Sequence, residues 1–139
     1  MRIALSVFDD AYDRHPKRRV ASWRGLCESL QSFKVYDGEG DKRRVKAWSP
    51  TIYKDGTTRG KEHVNALTCL VLDYDDGTPM HQAKDVWGEY NHIVHTSWSH
   101  QPHHHRFRVV IPFQTVVSSL LWGRVWQWAA ERAGRTIDE

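Results

Sequence analysis

Residues Leu67 to Leu72 form a continuous apolar run, interrupted only by Thr68, that ends in Asp73-Tyr74-Asp75-Asp76-Gly77. A short apolar run closed by acids and a glycine predicts a strand buried on both faces, and no other segment of the chain is as well defined. Side chains alternate along a strand. If the extended backbone continues two residues past the run, Asp73 and Asp75 therefore point to one face and Tyr74 to the other. Two carboxylates held together repel each other unless a cation lies between them, and hard oxygen donors at this spacing suit Mg²⁺ or Mn²⁺. An acidic turn at the end of a strand is the plainer reading of an isolated Asp-x-Asp, and Asp76-Gly77 is ordinary turn chemistry.

The remaining pattern predicts an α+β chain. Ile3 to Phe8 reads as a strand, and Ala21 to Phe33 as a helix with Ser22 placed to cap it. Turns are expected at Asp37 to Asp41 and at Asp55-Gly56, and Pro50 argues against a central strand around Trp48. After Gly77-Thr78-Pro79 a helix is expected from Met80 to Tyr90. Strands are then expected at Ile93 to Trp98 and Arg106 to Phe113, and a last helix from Ser119 to Ala133, ended by Gly134. The order β-α-β-β-α after residue 66 can seed a split βαβ sheet, with the earlier elements as a second layer.

With 139 residues, 40% of them hydrophobic, the chain has the length of a single domain. No stretch reaches the roughly 18 apolar residues of a membrane span, and the N-terminus is too short for a signal peptide, so a cytosolic protein without membrane partners is expected. Cys27 and Cys69 are too few and too separated for a disulfide framework or a cysteine zinc site. The net charge of +3 is modest but uneven, with basic residues leading acidic ones by 14 to 9 up to residue 64 and acids leading by 8 to 6 after it. Such a balance suits carboxylates that hold metal beside cations that hold phosphates, though an ordinary solvated surface has the same composition.

In the second of the late strands, Phe107, Val109, Ile111 and Phe113 alternate with Arg106, Arg108 and Val110. One face is thus apolar and the other begins with two arginines, whose planar forks match phosphate oxygens. His103, His104 and His105 are consecutive and cannot all face one metal from an extended segment, so a zinc site is not expected there.

Leu70 to Asp75, Thr96-Ser97-Trp98-Ser99-His100 and Arg106 to Pro112 together resemble the phage and plasmid replication-protein branch of the archaeo-eukaryotic primase superfamily. The likeness extends to the Trp23 helix, Trp48-Ser49-Pro50 and Arg59-Gly60-Lys61, covering nearly the whole chain. It implies a primase-polymerase catalytic core with an RRM-like split βαβ sheet and an N-terminal α/β layer. It also implies template-directed nucleotidyl transfer with Mg²⁺ or Mn²⁺ on Asp73, Asp75 and Asp138. Ser97, His100, Arg106 and Arg108 would bind the nucleoside triphosphate, the family's phosphate-binding histidine corresponding either to His100 or to Arg108. Lys42, Arg43, Arg44, Arg59 and Lys61 would grip a single-stranded DNA template, with Trp48 or Trp98 stacking on bases. The chain stops one residue after Asp138, where the family continues with another strand-forming segment. The resemblance therefore implies a truncated domain or part of a longer replication protein that works with a helicase or similar partner. Two rivals remain at this point: a non-catalytic nucleic-acid-binding module of primase-like fold, and a phosphatase of haloacid dehalogenase type, whose nucleophile loop Asp73 to Thr78 is close to.

Overall fold

The computed structural model describes residues 1–32, 45–97 and 100–134, with mixed α and β structure. They fall into two compact units, Met1–Thr68 and Cys69–Glu139.

In the first unit, strand β1 (Arg2–Phe8) lies between β2 (Lys17–Ser22) and β3 (Ala47–Ser49), antiparallel to both. Ile3, Leu5 and Phe8 of β1 are buried, together with Leu26 of helix α1 (Trp23–Gln31). Ser22 ends β2 and caps α1 in one step: its backbone is extended and its hydroxyl accepts from the Gly25 N–H at 3.0 Å. The cap is where the sequence places it. Ala21, expected to be helical, is instead paired with Ile3, because the residue before an N-cap keeps the extended conformation.

Pro50 separates β3 from β4 (Thr51–Tyr53). Both are edge strands of their sheets, which is where a residue without an N–H is tolerated. The Pro50 carbonyl accepts from the Thr68 N–H at 2.8 Å and from its hydroxyl at 3.2 Å. The expected turn at Gly56 has φ of 72° there.

Strand β5 (Val64–Tyr74) begins in the first unit, where Val64, Ala66 and Leu67 pair with β4, and ends in the second. Its interior is buried as the apolar run predicts: Thr68, Cys69, Leu70 and Leu72 are each 5% exposed or less.

The second unit continues through α2 (Met80–Trp87), β6 (Ile93–Thr96), β7 (Phe107–Ser118) and α3 (Trp122–Ala133), with β7 between β5 and β6. Leu70, Leu72 and Tyr74 from β5 pack with Phe107, Val109 and Ile111 from β7, Ala83 and Trp87 from α2 and Ala129 from α3. Gly134 ends α3 in the left-handed region, as expected of a glycine just past a helix. Helix α2 is shorter than the sequence suggests. It stops at Trp87, and Tyr90 is held by a turn to the Trp87 carbonyl. Arg132 braces α3 on α2 by bonding the Val86 carbonyl and pairing with Glu89.

Candidate active site

Tyr74 sets the geometry of the acidic pair. Its ring stacks on Phe107 with centroids 4.9 Å apart, and its hydroxyl accepts from the Trp87 indole N–H at 2.9 Å. With Tyr74 fixed in the core, strand alternation directs Asp73 and Asp75 to the opposite face. This is the arrangement the sequence predicts.

Arg108 of β7 and Arg106, the residue just before it, meet them there. Arg108 lies 3.6 Å from the Asp73 carboxylate, and Arg106 lies 4.0 Å from that of Asp75. All four side chains are partly open to solvent, from 23% for Asp73 to 43% for Arg108. Ion pairs this long and this exposed contribute roughly 0–1 kcal/mol, too little for fold stability to account for four charges on one face. Both pairs exceed hydrogen-bonding distance, so the guanidiniums can turn to an incoming anion at small cost.

The pair Asp73 and Asp75 offers hard oxygen donors suited to Mg²⁺ or Mn²⁺, which bind to one or two carboxylates and complete their shells with water and phosphate oxygens. Among the described residues no group of three or more His, Cys, Asp or Glu side chains is close enough to enclose a metal. The expected third ligand, Asp138, lies outside the described residues, as do Lys42, Arg43, Arg44 and Trp98.

The histidine-rich loop has a positioning role that sequence reasoning missed. Gly77 turns the chain with φ of 88°, and Asp76 accepts from both the N–H and the hydroxyl of Thr78. The His104 ring lies against Gly77, where a Cβ would come within 3.2 Å of it, and its Nε2–H donates to the Asp75 carbonyl at 3.1 Å. His105 Nδ1 accepts from the Met80 N–H at the start of α2. His100 Nδ1 accepts from the Arg106 N–H, and the Ser97 N–H donates to the Arg106 carbonyl. Ser97 and His100 thus lie beside Arg106 and hold its backbone. The loop fixes the turn after Asp75 through the backbone bonds of His104 and His105.

His95 is a second residue the sequence did not single out. It is paired with Arg108 across β6 and β7, and side chains directly opposite on antiparallel strands share a face. Its Nε2 is buried without a hydrogen-bond partner among the described residues. Burial, aided by the Arg108 charge, holds its pKa below the ordinary 6.5. The unfolded chain therefore takes up a proton near pH 6.5 that the folded chain resists, so this contribution to stability is complete above that pH and falls as pH drops below it. Urea midpoints of the native chain are expected to fall more steeply between pH 7 and pH 5 than those of His95→Gln. Parallel curves would contradict this.

Of the expected template-binding residues, Arg59 is committed to the first unit. Its guanidinium stands 4.5 Å over the Phe8 ring and reaches the Ala11 carbonyl, while its N–H donates to the Arg14 carbonyl. Lys61 is exposed at the start of a short 3₁₀ turn, and Trp48 is half-buried in β3.

No family model matches the chain, and no curated protein or solved structure gives a significant match.

Proposed function

We propose that the chain is a metal-dependent nucleotidyltransferase of primase-polymerase type, acting on nucleoside triphosphates along a single-stranded DNA template. The observation that carries this reading is the juxtaposition of Asp73 and Asp75 with Arg106 and Arg108 on one solvent-accessible face. The strand order β5-β7-β6, with α2 connecting β5 to β6, supports the RRM-like split βαβ sheet that the family resemblance implies. The first unit, with its sheet and α1, would be the N-terminal α/β layer.

In this reading Asp73 and Asp75, joined by Asp138 on the strength of the resemblance, hold Mg²⁺ or Mn²⁺. When bound, the cations neutralise the triphosphate and make the attacking 3′-hydroxyl easier to deprotonate. Arg106 and Arg108 release their carboxylate partners and take the phosphate oxygens through charge-assisted hydrogen bonds. Arg108 fills the phosphate-binding role of the second motif, since its guanidinium faces Asp73 while His100 Nδ1 accepts from the Arg106 N–H. Tyr74 and the His104 contact keep the acids in place, so little reorganisation is needed as charge develops. A cytosolic setting and a helicase or other replication partner accompany this function.

The test is incubation with single-stranded template, labelled nucleotides and Mg²⁺ or Mn²⁺, with and without primer. Product whose sequence follows the template and whose formation requires the cation is the expected result. The close approach of each acid to an arginine also fits a non-catalytic nucleic-acid-binding module in which these four residues are a surface ion-pair ladder. That alternative predicts template binding without cation-dependent product. A haloacid dehalogenase-type phosphatase gains no support from the antiparallel pairing of β6 with β7, and hydrolysis of p-nitrophenyl phosphate would be its signature.

A further inference from the structure

The densest run of cations among the described residues is not one of those considered above. Arg14-His15-Pro16-Lys17-Arg18-Arg19 leads into β2, and every residue of it except Pro16 is exposed. Strand β2 ends the order β2-β1-β3, so its outer edge leaves backbone N–H groups available to an acceptor. Lys17, Arg18 and Arg19 stand opposite Val7, Ser6 and Leu5. Alternation therefore puts Lys17 and Arg19 on one face and Arg18 on the other, so that cations straddle the free edge.

The acids that reach this charge act on two of its cations, Asp9 and Asp13 on Lys17 and Asp55 on Arg18. Lys17 pairs with Asp9 at 2.7 Å, and Arg18 lies 3.7 Å from Asp55, whose side chain is 98% exposed. Arg14, Arg19 and Lys54 have no carboxylate partner among the described residues. Arg18 and Lys54 also line a cleft of about 220 Å³ with Tyr53, Gly56, Thr57 and the outward-facing Asp55. Charge of either sign protects an edge strand from pairing with another chain. Here all charges of the run are positive, which a polyanion specifically requires.

We propose that this edge, Arg14 to Arg19 with Lys54 in the adjoining cleft, grips the sugar-phosphate backbone of single-stranded nucleic acid. The identity of the partner rests on the template-directed reading above. Strand β2 spans six residues, roughly 20 Å, and cations on both sides of its free edge flank a path that a line of phosphates can follow. Free N–H groups at the edge add donors for phosphate oxygens.

Fluorescence anisotropy with labelled oligothymidylate tests the proposal, using the full chain in chelator without nucleotide. In R14Q/R19Q/K54Q three phosphate contacts are removed, and the slope of log affinity against log salt is expected to become shallower by about 2. Affinity at 0.1 M salt should fall by about tenfold or more. The charge-preserving R14K/R19K chain should keep the native slope, and circular dichroism melts of both variants establish that they fold. An unchanged slope in the triple variant, no binding by the native chain, or tighter binding of a duplex of equal length would overturn the proposal. The outcome is separable from the fate of the catalytic reading: loss of templated product with an intact salt effect defeats only nucleotidyl transfer. Templated product with no salt effect of the triple variant defeats only the β2 edge.

Discussion

Replacing Asp73 and Asp75 together by asparagine is expected to lower templated incorporation by at least about 10³-fold while the chain stays folded. Asparagine keeps the shape of the side chain but removes the charge that holds a cation, and loss of a single electrostatic stabiliser already costs roughly 10²–10³ in rate at comparable sites. The structural penalty is small, because the two ion pairs are long and partly solvated. Oligonucleotide binding in chelator should therefore persist. Steady-state incorporation, with melting curves as the folding control, checks both halves. Activity within tenfold of the native chain would show that these carboxylates are not the catalytic pair, whatever else the protein does.

The second large effect is on stability. Trp87→Ala is expected to destabilise the second unit by about 3–5 kcal/mol, a large share of what a domain of this size commands. Trp87 is fully buried, makes a tilted contact with the Tyr90 ring and an edge contact with the Trp128 ring, and donates to the Tyr74 hydroxyl. Its removal opens a cavity and takes away the indole donor to that hydroxyl. Trp87→Phe fills most of the space without the donor and should lose less. Because Tyr74 stands between the two acids, the alanine chain should also lose the fixed direction of Asp73 and Asp75. Urea denaturation of the three chains measures the ranking, and a loss under about 1 kcal/mol for Trp87→Ala would contradict the packing account.

How much of this was legible in the sequence depended on whether the information was local. The β5 strand announces itself because burial on both faces leaves no polar position between Ala66 and Leu72 except Thr68, whose hydroxyl bonds the Ala4 and Pro50 carbonyls. The Ser22 cap and the Gly134 stop are equally local, since each depends on one residue's backbone and side chain. Alternation along each segment puts Asp73 and Asp75 on one face and Arg106 and Arg108 on one face, while their meeting depends on β7 lying beside β5.

What was hidden required a register or a distant partner. His95 shares the arginine face only because β6 and β7 pair Ile93 with Val110 and His95 with Arg108, and the long loop between them does not determine that offset. The work of His104 and His105 depends on a loop closing over the β5–α2 turn, which spacing along the chain does not express. Strand β2 was missed because Lys17-Arg18-Arg19 lacks an apolar alternation. It is an edge strand exposed on most of its length, held by pairing with β1 and not by burial of its own side chains.

The most direct measurement of the central claim, that the acids and arginines form one cation and triphosphate site, is electron paramagnetic resonance of Mn²⁺ titrated into the chain with and without a non-hydrolysable nucleoside triphosphate. The account predicts weak Mn²⁺ binding alone, tighter binding with the nucleotide, loss of the first in Asp73→Asn/Asp75→Asn and loss of the enhancement in Arg106→Gln/Arg108→Gln. Mn²⁺ binding equal in the native and Asp73→Asn/Asp75→Asn chains, or indifferent to nucleotide, would contradict it.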